Sequence, residues 1–205
     1  MTVKSLNYNQ QKGFTLIEVL IAFVILSVGL LGIVNLQAMS KTFTHQAMQR
    51  TMAVSLADAI VERIRVNPAG LAVYTGSATV GGGTKGAEPA PNCTTAICSS
   101  AQLATHDLWE WEQNMDGATV TAGGANTSGL IAPQACFNFT PRVVAGGSVM
   151  ARTGFLTVRI QWTGLNAISD AVTVAGTNCN ATGPNLDVFR RQVAITTYVI
   201  DEAEL

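Results

Sequence analysis

Hydrophobic and polar positions along the chain predict one long helix followed by a mixed head. From Val19 to Ser40 no residue carries a charge, and a helix of that length spans ~33 Å against a bilayer core of ~30 Å. Beyond it Leu36, Met39, Phe43, Ala47, Val54, Ala57, Val61 and Ile64 recur at spacings typical of one helix face, while Lys41, Arg50, Asp58, Glu62 and Arg65 take other positions. The two patterns join into a single helix from about Phe14 to Arg65, with an apolar half for a membrane and an amphipathic half for a head to cover. Asn67-Pro68-Ala69-Gly70 ends it. The apolar half lacks the e and g charges of a coiled coil.

Downstream, Thr75 to Pro91 is rich in Gly, Ala, Thr and Pro, includes Gly81-Gly82-Gly83, and reads as a flexible surface loop. Its glycines lack the spacing of a phosphate-binding loop. A helix is expected from an N-cap at Ser99 or Ser100 to Gly117, with Ala104, Leu108, Trp111 and Met115 on one face. Strands are expected over Ala118–Thr121, Ala135–Thr140, Phe155–Thr163 and Val188–Ile200. The third alternates most clearly, with Leu156, Val158, Ile160 and Trp162 between Thr157, Arg159 and Gln161. A long helix followed by strands gives an α+β class, with an antiparallel sheet packed on the C-terminal half of the helix.

Composition sharpens this picture. The chain is 48% hydrophobic and 12% charged, which excludes disorder over most of its length. The formal net charge of −1, with an acidic balance after Gly13, gives no support for a nucleic-acid partner. Four cysteines, Cys93, Cys98, Cys136 and Cys179, suit two disulfides in an oxidising compartment and show no zinc spacing. Cys93 is read as paired with Cys98 and Cys136 with Cys179, among three connectivities the sequence leaves open. The second pairing closes a loop for which chain entropy gives ~3–4 kcal/mol. Lys4 and Lys12 before the apolar run are balanced by Lys41 and Arg50 after it, so the disulfides rather than charge place the C-terminus outside. Leu36-Gln37-Ala38 is a poor signal-peptidase site, and the apolar run ends without the cysteine a lipoprotein requires.

Lys12-Gly13-Phe14-Thr15-Leu16-Ile17-Glu18-Val19-Leu20 resembles the class III leader of type IV prepilins and pseudopilins. The resemblance implies cleavage by prepilin peptidase between Gly13 and Phe14, N-methylation of Phe14, and Glu18 as the fifth residue of the mature chain. A carboxylate inside a membrane helix costs ~2.5–3.5 kcal/mol at its centre and less near an end, and usually marks a partner. In the family that partner is the N-terminal amine of a neighbouring subunit. The implied organisation is a leader over 1–13, a spine helix over 14–67 with 14–40 as its transmembrane half, and a head over 68–205 with the type IV pilin fold. Gly29 and Gly32 weaken the helix but allow close helix packing.

Within that family, three passages resemble the PilV-type minor pilins, the type IV pilus modification proteins. They are Gly29-Leu30-Leu31-Gly32, the stretch from Asp58 to Pro68, and Cys98 with Ala101-Gln102-Leu103-Ala104 and Asp107-Leu108-Trp109-Glu110-Trp111. Asn35 stands where many major pilins carry a proline further along this segment, which favours a minor subunit. The resemblance implies other minor pilins, the major pilin, a tip-associated adhesin and the inner membrane as partners, with twitching motility and adhesion as the outcome. The subunit would sit in the inner membrane, C-terminus periplasmic, before assembly and on the cell surface afterwards. The alternatives are a minor pseudopilin of type II secretion and a ligand- or DNA-binding pilin, for which Arg190-Arg191 is the only adjacent basic pair.

No catalytic set, metal site or cofactor is expected. His45 and His106 lack triad-like partners and read as surface or packing residues. Asp107, Glu110, Glu112 and Asp116 lack the spacing of a calcium loop and read as a solvated helix face. Asp201, Glu202 and Glu204 read as a solvated end. Trp109, Trp111 and Trp162 read as core and subunit packing. Asn92, Asn126, Asn138 and Asn180 open N-x-[ST] sequons to which no role is assigned.

Overall fold

The computed structural model describes residues 13–77, 79–118, 120–126, 128–167, 179 and 188–205. Helix α1 runs Leu16–Val66. It contributes to both of the compact units into which the chain divides, one ending at Thr44 and one running from His45 to Leu205.

In the first unit none of residues 13–44 is buried, and most of the exposed side chains are apolar. The helix is long and apolar enough to cross a membrane. Three of its hydroxyls are turned back onto its own backbone: Ser27 Oγ donates to the Val24 carbonyl at 2.8 Å, Thr42 Oγ1 to the Met39 carbonyl at 2.8 Å and Thr44 Oγ1 to the Ser40 carbonyl at 2.9 Å. Such closure suits an environment that offers no water. A Cβ placed on Gly29 or Gly32 would meet nothing within 4 Å, so no close approach within the chain requires either glycine.

In the second unit the stripe Gln49, Ala53, Ala57, Ile60, Val61 and Ile64 of α1 is buried. After a 3-10 turn at Pro68–Gly70 come α2, Leu71–Gly76, and α3, Ser100–Asp116. Ser99 caps α3 in a capping box with Gln102, which satisfies two of the free donors at a helix start. Ala104, Leu108, Trp111 and Met115 join the α1 stripe in one core with Leu156, Val158, Ile160, Trp162 and Val199. Trp111 Nε1 donates to the Leu56 carbonyl at 2.8 Å, which ties α3 to α1 inside that core.

Strands β1 (Thr121–Ala122) and β2 (Ala125–Asn126) form a small hairpin. The main sheet contains β3 (Gln134–Val143), β4 (Val149–Thr163) and β5 (Arg190–Val199), antiparallel and in the order β3-β4-β5. The β4–β5 register is unbroken from Gly154↔Val199 to Thr163↔Arg190. The β3–β4 register shifts between Pro141 and Arg142. The architecture is the α+β type IV pilin arrangement, a long N-terminal helix with an antiparallel sheet.

Several expectations are corrected. The strand expected over Ala118–Thr121 starts only at Thr121, and Ala118 belongs to the helix terminus: Gly117 is left-handed with φ 68°, and Ala118 N–H closes onto the Gln113 carbonyl at 2.9 Å. A Cβ on Gly117 would stand 2.0 Å from the Gly129 nitrogen, so no other residue fits there. Strand β4 begins at Val149 rather than Phe155. A tight turn at Val144–Ser148 starts it, and Ala151, Arg152 and Gly154 mask its alternation. The stretch expected to be a flexible loop from Thr75 is in part structured: α2 extends to Gly76, and Val80 forms a bridge with Ala135. Disulfides join Cys93 to Cys98 and Cys136 to Cys179.

Candidate functional site

Three groups of residues carry the chemistry that the sequence raised. The first lies at the start of α1. Gly13, Phe14 and Thr15 precede the helix, and Phe14 is 84% exposed. Glu18 N–H bonds back to the Thr15 carbonyl at 3.1 Å. This places Glu18 in the first turn, where the helix dipole favours an acid. Its carboxylate has no ion-pair partner among the described residues, so among them the acid stands at the head of an apolar helix with no opposite charge beside it.

The second group joins α1 to α3. Arg63 Nη1 donates to Asp107 Oδ1 at 3.0 Å and to Glu110 Oε2 at 2.7 Å. The other Asp107 oxygen accepts the Tyr74 hydroxyl, so one carboxylate links α1, α2 and α3. Asn67 Nδ2 donates to the Ser100 carbonyl at 2.8 Å. Burial draws the Arg63 guanidinium down, but the hydrogen bond and charge of Glu110, with Asp107 behind it, outweigh burial and raise its pKa. The bond from Arg63 holds Glu110 below the usual carboxylate range. Burial, reinforced by Asp107, raises the Tyr74 hydroxyl. Arg65 pairs with Glu62 at 2.5 Å and also donates to Thr197 Oγ1 on β5.

The third group overturns the solvated-face reading of the acidic residues. Glu112 is fully buried. Its Oε1 accepts from the Gly81 and Thr84 N–H groups at 2.7 and 2.8 Å and from the Thr84 hydroxyl at 2.5 Å, while Oε2 accepts from the Lys85 N–H at 2.7 Å. Asp116 takes the N–H groups of Gly82 and Gly83, both at 2.9 Å. The glycines are in positive φ, and a Cβ on Gly81 would come within 2.5 Å of the Pro133 carbonyl oxygen. Five consecutive N–H groups therefore converge on two carboxylates, an anion nest filled by the protein's own side chains. Burial lowers the pKa of Lys85, whose Nζ reaches Ser77 Oγ at 2.9 Å.

The acidic end is likewise engaged. Asp201 is buried with its Oδ2 2.5 Å from Arg152 Nε, and Glu204 accepts the Arg152 N–H at 3.0 Å. Only Glu202 of the three acids meets the expectation of a solvated end. Trp111 and Trp162 are in the core, and Trp109 is half-buried with Nε1 on the Gly86 carbonyl at 3.2 Å. His45 is exposed. His106 is buried, with Nε2 3.6 Å from Glu88 Oε1, too far for a hydrogen bond. No group of His, Cys, Asp and Glu able to hold a metal ion occurs among the described residues. Of the sequons, Asn180 lies outside the described residues.

The Arg190-Arg191 pair is not free to meet phosphates. Arg190 donates to the Ala132 carbonyl at 2.7 Å and to Gln134 Oε1 at 2.9 Å, and Arg191 to the carbonyls of Val188, Phe189 and Asn166.

Two family models match this arrangement. The prokaryotic N-terminal methylation motif matches residues 8–34, a stretch that includes Gly13, Phe14 and Glu18, and the model for type IV pilin Tt1218 matches residues 35–109. Over these two stretches the chain is similar to type IV prepilin-like proteins. No curated protein and no solved structure matches it. In this prepilin-like chain the pilin match covers the second part of α1, α2 and the first ten residues of α3, and stops short of Glu112, Asp116 and the main sheet.

Proposed function

We propose that this protein is a minor pilin of a type IV pilus, of the PilV type, which primes filament assembly with other minor pilins and takes a place at the tip beside a large adhesin. The observation that carries the pilin reading is Glu18, an acid without an ion-pair partner among the described residues, in the first turn of an exposed apolar helix directly after Gly13-Phe14. A charge beside a membrane helix's apolar run is costly unless an opposite charge meets it, and the new α-amino group of a neighbouring subunit is a partner of opposite charge. The unbroken run of α1 through Asn35, without the proline many major pilins carry, favours a minor subunit. So do the three passages that resemble the PilV type. Prepilin peptidase, other minor pilins, the major pilin and the tip adhesin are the partners this reading requires, and the inner membrane is its location before assembly. The work is structural rather than catalytic.

A minor pseudopilin of type II secretion shares the leader and α1. A DNA-binding head is disfavoured by charge and by geometry. Of six basic residues from Ala69 onward, Lys85, Arg152, Arg190 and Arg191 already bond within the protein.

Intact and peptide mass spectrometry of the native protein, with a count of surface pili, tests the proposal. The expected result is an N-terminus at methylated Phe14, no cleavage in Gly13→Ser, and fewer pili in Glu18→Ala. An uncut chain, or an N-terminus near Ala38, would overturn it. Loss of secretion with piliation intact on deletion would assign the protein to the secretion system instead.

A further inference from the structure

The two edges of the main sheet are treated differently. In an antiparallel ladder, residues alternate between bonding one neighbour and facing the other way. The Gly164 N–H donates to the Phe189 carbonyl at 2.8 Å, just beyond the pair Thr163↔Arg190. The odd-numbered residues of β5 therefore bond β4. Gln192, Ala194, Thr196 and Tyr198 aim both N–H and C=O away from it. The same alternation on the other side turns Ala135 of β3 outward, and there both of its groups are met by Val80, at 2.7 and 2.9 Å. Edge β3 is further protected by Pro141, which has no N–H, and by the register shift between Pro141 and Arg142. Edge β5 has none of these devices. Its eight outward backbone groups have no partner among the described residues, Ala194 and Thr196 are exposed, and from Gln192 to Val199 the strand has no charge and no proline.

We infer that the edge of β5 is an interface, filled by an extended segment of a different protein of the assembly that adds a fourth strand. This rests on the pilin reading above and deepens it. An identical copy does not fit. Side-by-side copies in one orientation would set β5 against the guarded edge β3, with Val80 and Pro141 in the way. A two-fold pair of β5 edges would run the two copies of α1 in opposite directions, although both chains start from the same membrane. The fitting partner is a short, uncharged strand whose backbone supplies four acceptors and four donors. Its outward side chains would lie beside Ala194, Thr196 and Tyr198. Backbone pairing gives such contacts their affinity, and side-chain fit gives their specificity.

Amide hydrogen exchange decides the matter, measured on the full chain in detergent and on the same chain in complexes recovered from sheared pili. The amides of Gln192, Ala194, Thr196 and Tyr198 should exchange freely in the purified chain and at least ~tenfold more slowly in the complexes. Thr196→Pro removes an N–H that no bond among the described residues uses, so this variant should fold, be cut at Gly13 and fail to enter pili. Ile195→Pro removes a bond to β4 and should lose the fold. Equal exchange in both samples would overturn the inference while leaving the pilin reading intact, as would normal entry of a folded Thr196→Pro chain into pili. Protection in the purified chain together with a doubled mass would identify a second copy and overturn the assignment to a different protein. A chain that is uncut and absent from pili would overturn the pilin reading and this inference together. Were Thr196→Pro not to fold, the exchange comparison on the unaltered chain decides alone.

Discussion

Helix α1 is one continuous element that lives in two environments. Before Thr44 its side chains are mostly exposed and apolar, the hydroxyls of Ser27 and Thr42 bond its own carbonyls, and the carboxylate of Glu18 has no ion-pair partner among the described residues. After His45 one stripe is buried, and the polar positions are met by named partners: Arg63 by Asp107 and Glu110, Arg65 by Glu62 and Thr197. A helix of this kind owes its second half to packing, because propensity alone contributes little in water. Its first half depends on surroundings that the chain does not itself provide. Truncating side chains in the two halves should therefore give very different results. Trp111→Ala empties a core position and removes the donor that meets the Leu56 carbonyl of α1, and should destabilise the head by ~3–5 kcal/mol. Leu26→Ala should leave the melting of the head within ~0.5 kcal/mol of the unaltered protein. Comparable losses in a thermal melt would mean that the first half is packed against the head after all, and the contrast would fail.

A smaller effect is expected where the head uses charge instead of apolar area. Glu112→Gln keeps the shape of the side chain but replaces one acceptor oxygen with an NH2 group. In either orientation that group faces backbone N–H groups, of Gly81 and Thr84 or of Lys85. Leaving buried donors unmet costs ~1–3 kcal/mol, more beside a charge, so a loss of ~2–4 kcal/mol is expected, read by chemical denaturation. Increased proteolysis between Val80 and Gly86 should accompany it. Asp116→Asn, at two exposed bonds, should lose less. If Glu112→Gln proved neutral, the nest would be a consequence of the fold rather than one of its supports.

The same pair of regions explains what was legible in the sequence. The span, the amphipathic continuation, the Ser99 cap and the alternation from Leu156 to Trp162 are written in side chains with a period, and periodic patterns report which face is buried. Glu112 and Asp116 read as solvated in the sequence because most of their partners are backbone N–H groups, which have no letter in it, whereas Asp107 and Glu110 meet Arg63 and Tyr74, side chains far from them along the chain. Gly81-Gly82-Gly83 was the available signal: three residues able to adopt positive φ let successive N–H groups point the same way. Yet the distance to Glu112 and Asp116 along the chain hid the match. Asp201 and Glu204 were missed for a similar cause, since Arg152 and its N–H lie far from them in sequence. Glu18 was the reverse case: its oddity lay in the apolar pattern itself, so the sequence alone marked it.

The weakest expected effect concerns the joint between α1 and α3, and it depends on pH. Arg63 holds the carboxyl of Glu110 below its ordinary value of ~4.3. A carboxyl that ionises more readily in the folded state contributes stability that is complete above its unfolded pKa. That stability is lost as pH falls through the folded pKa. Melting followed from pH 6 down through the acid range should therefore show the unaltered protein and Glu110→Gln converging as Glu110 takes up its proton. The separation at pH 6 should stay below ~1 kcal/mol, because the Glu110 side chain is 44% exposed and water screens the pair. Raised salt should shrink it further. A separation that persisted in acid would mean that Glu110 acts through packing rather than charge, and the joint would then rest on Asp107, Tyr74 and Asn67.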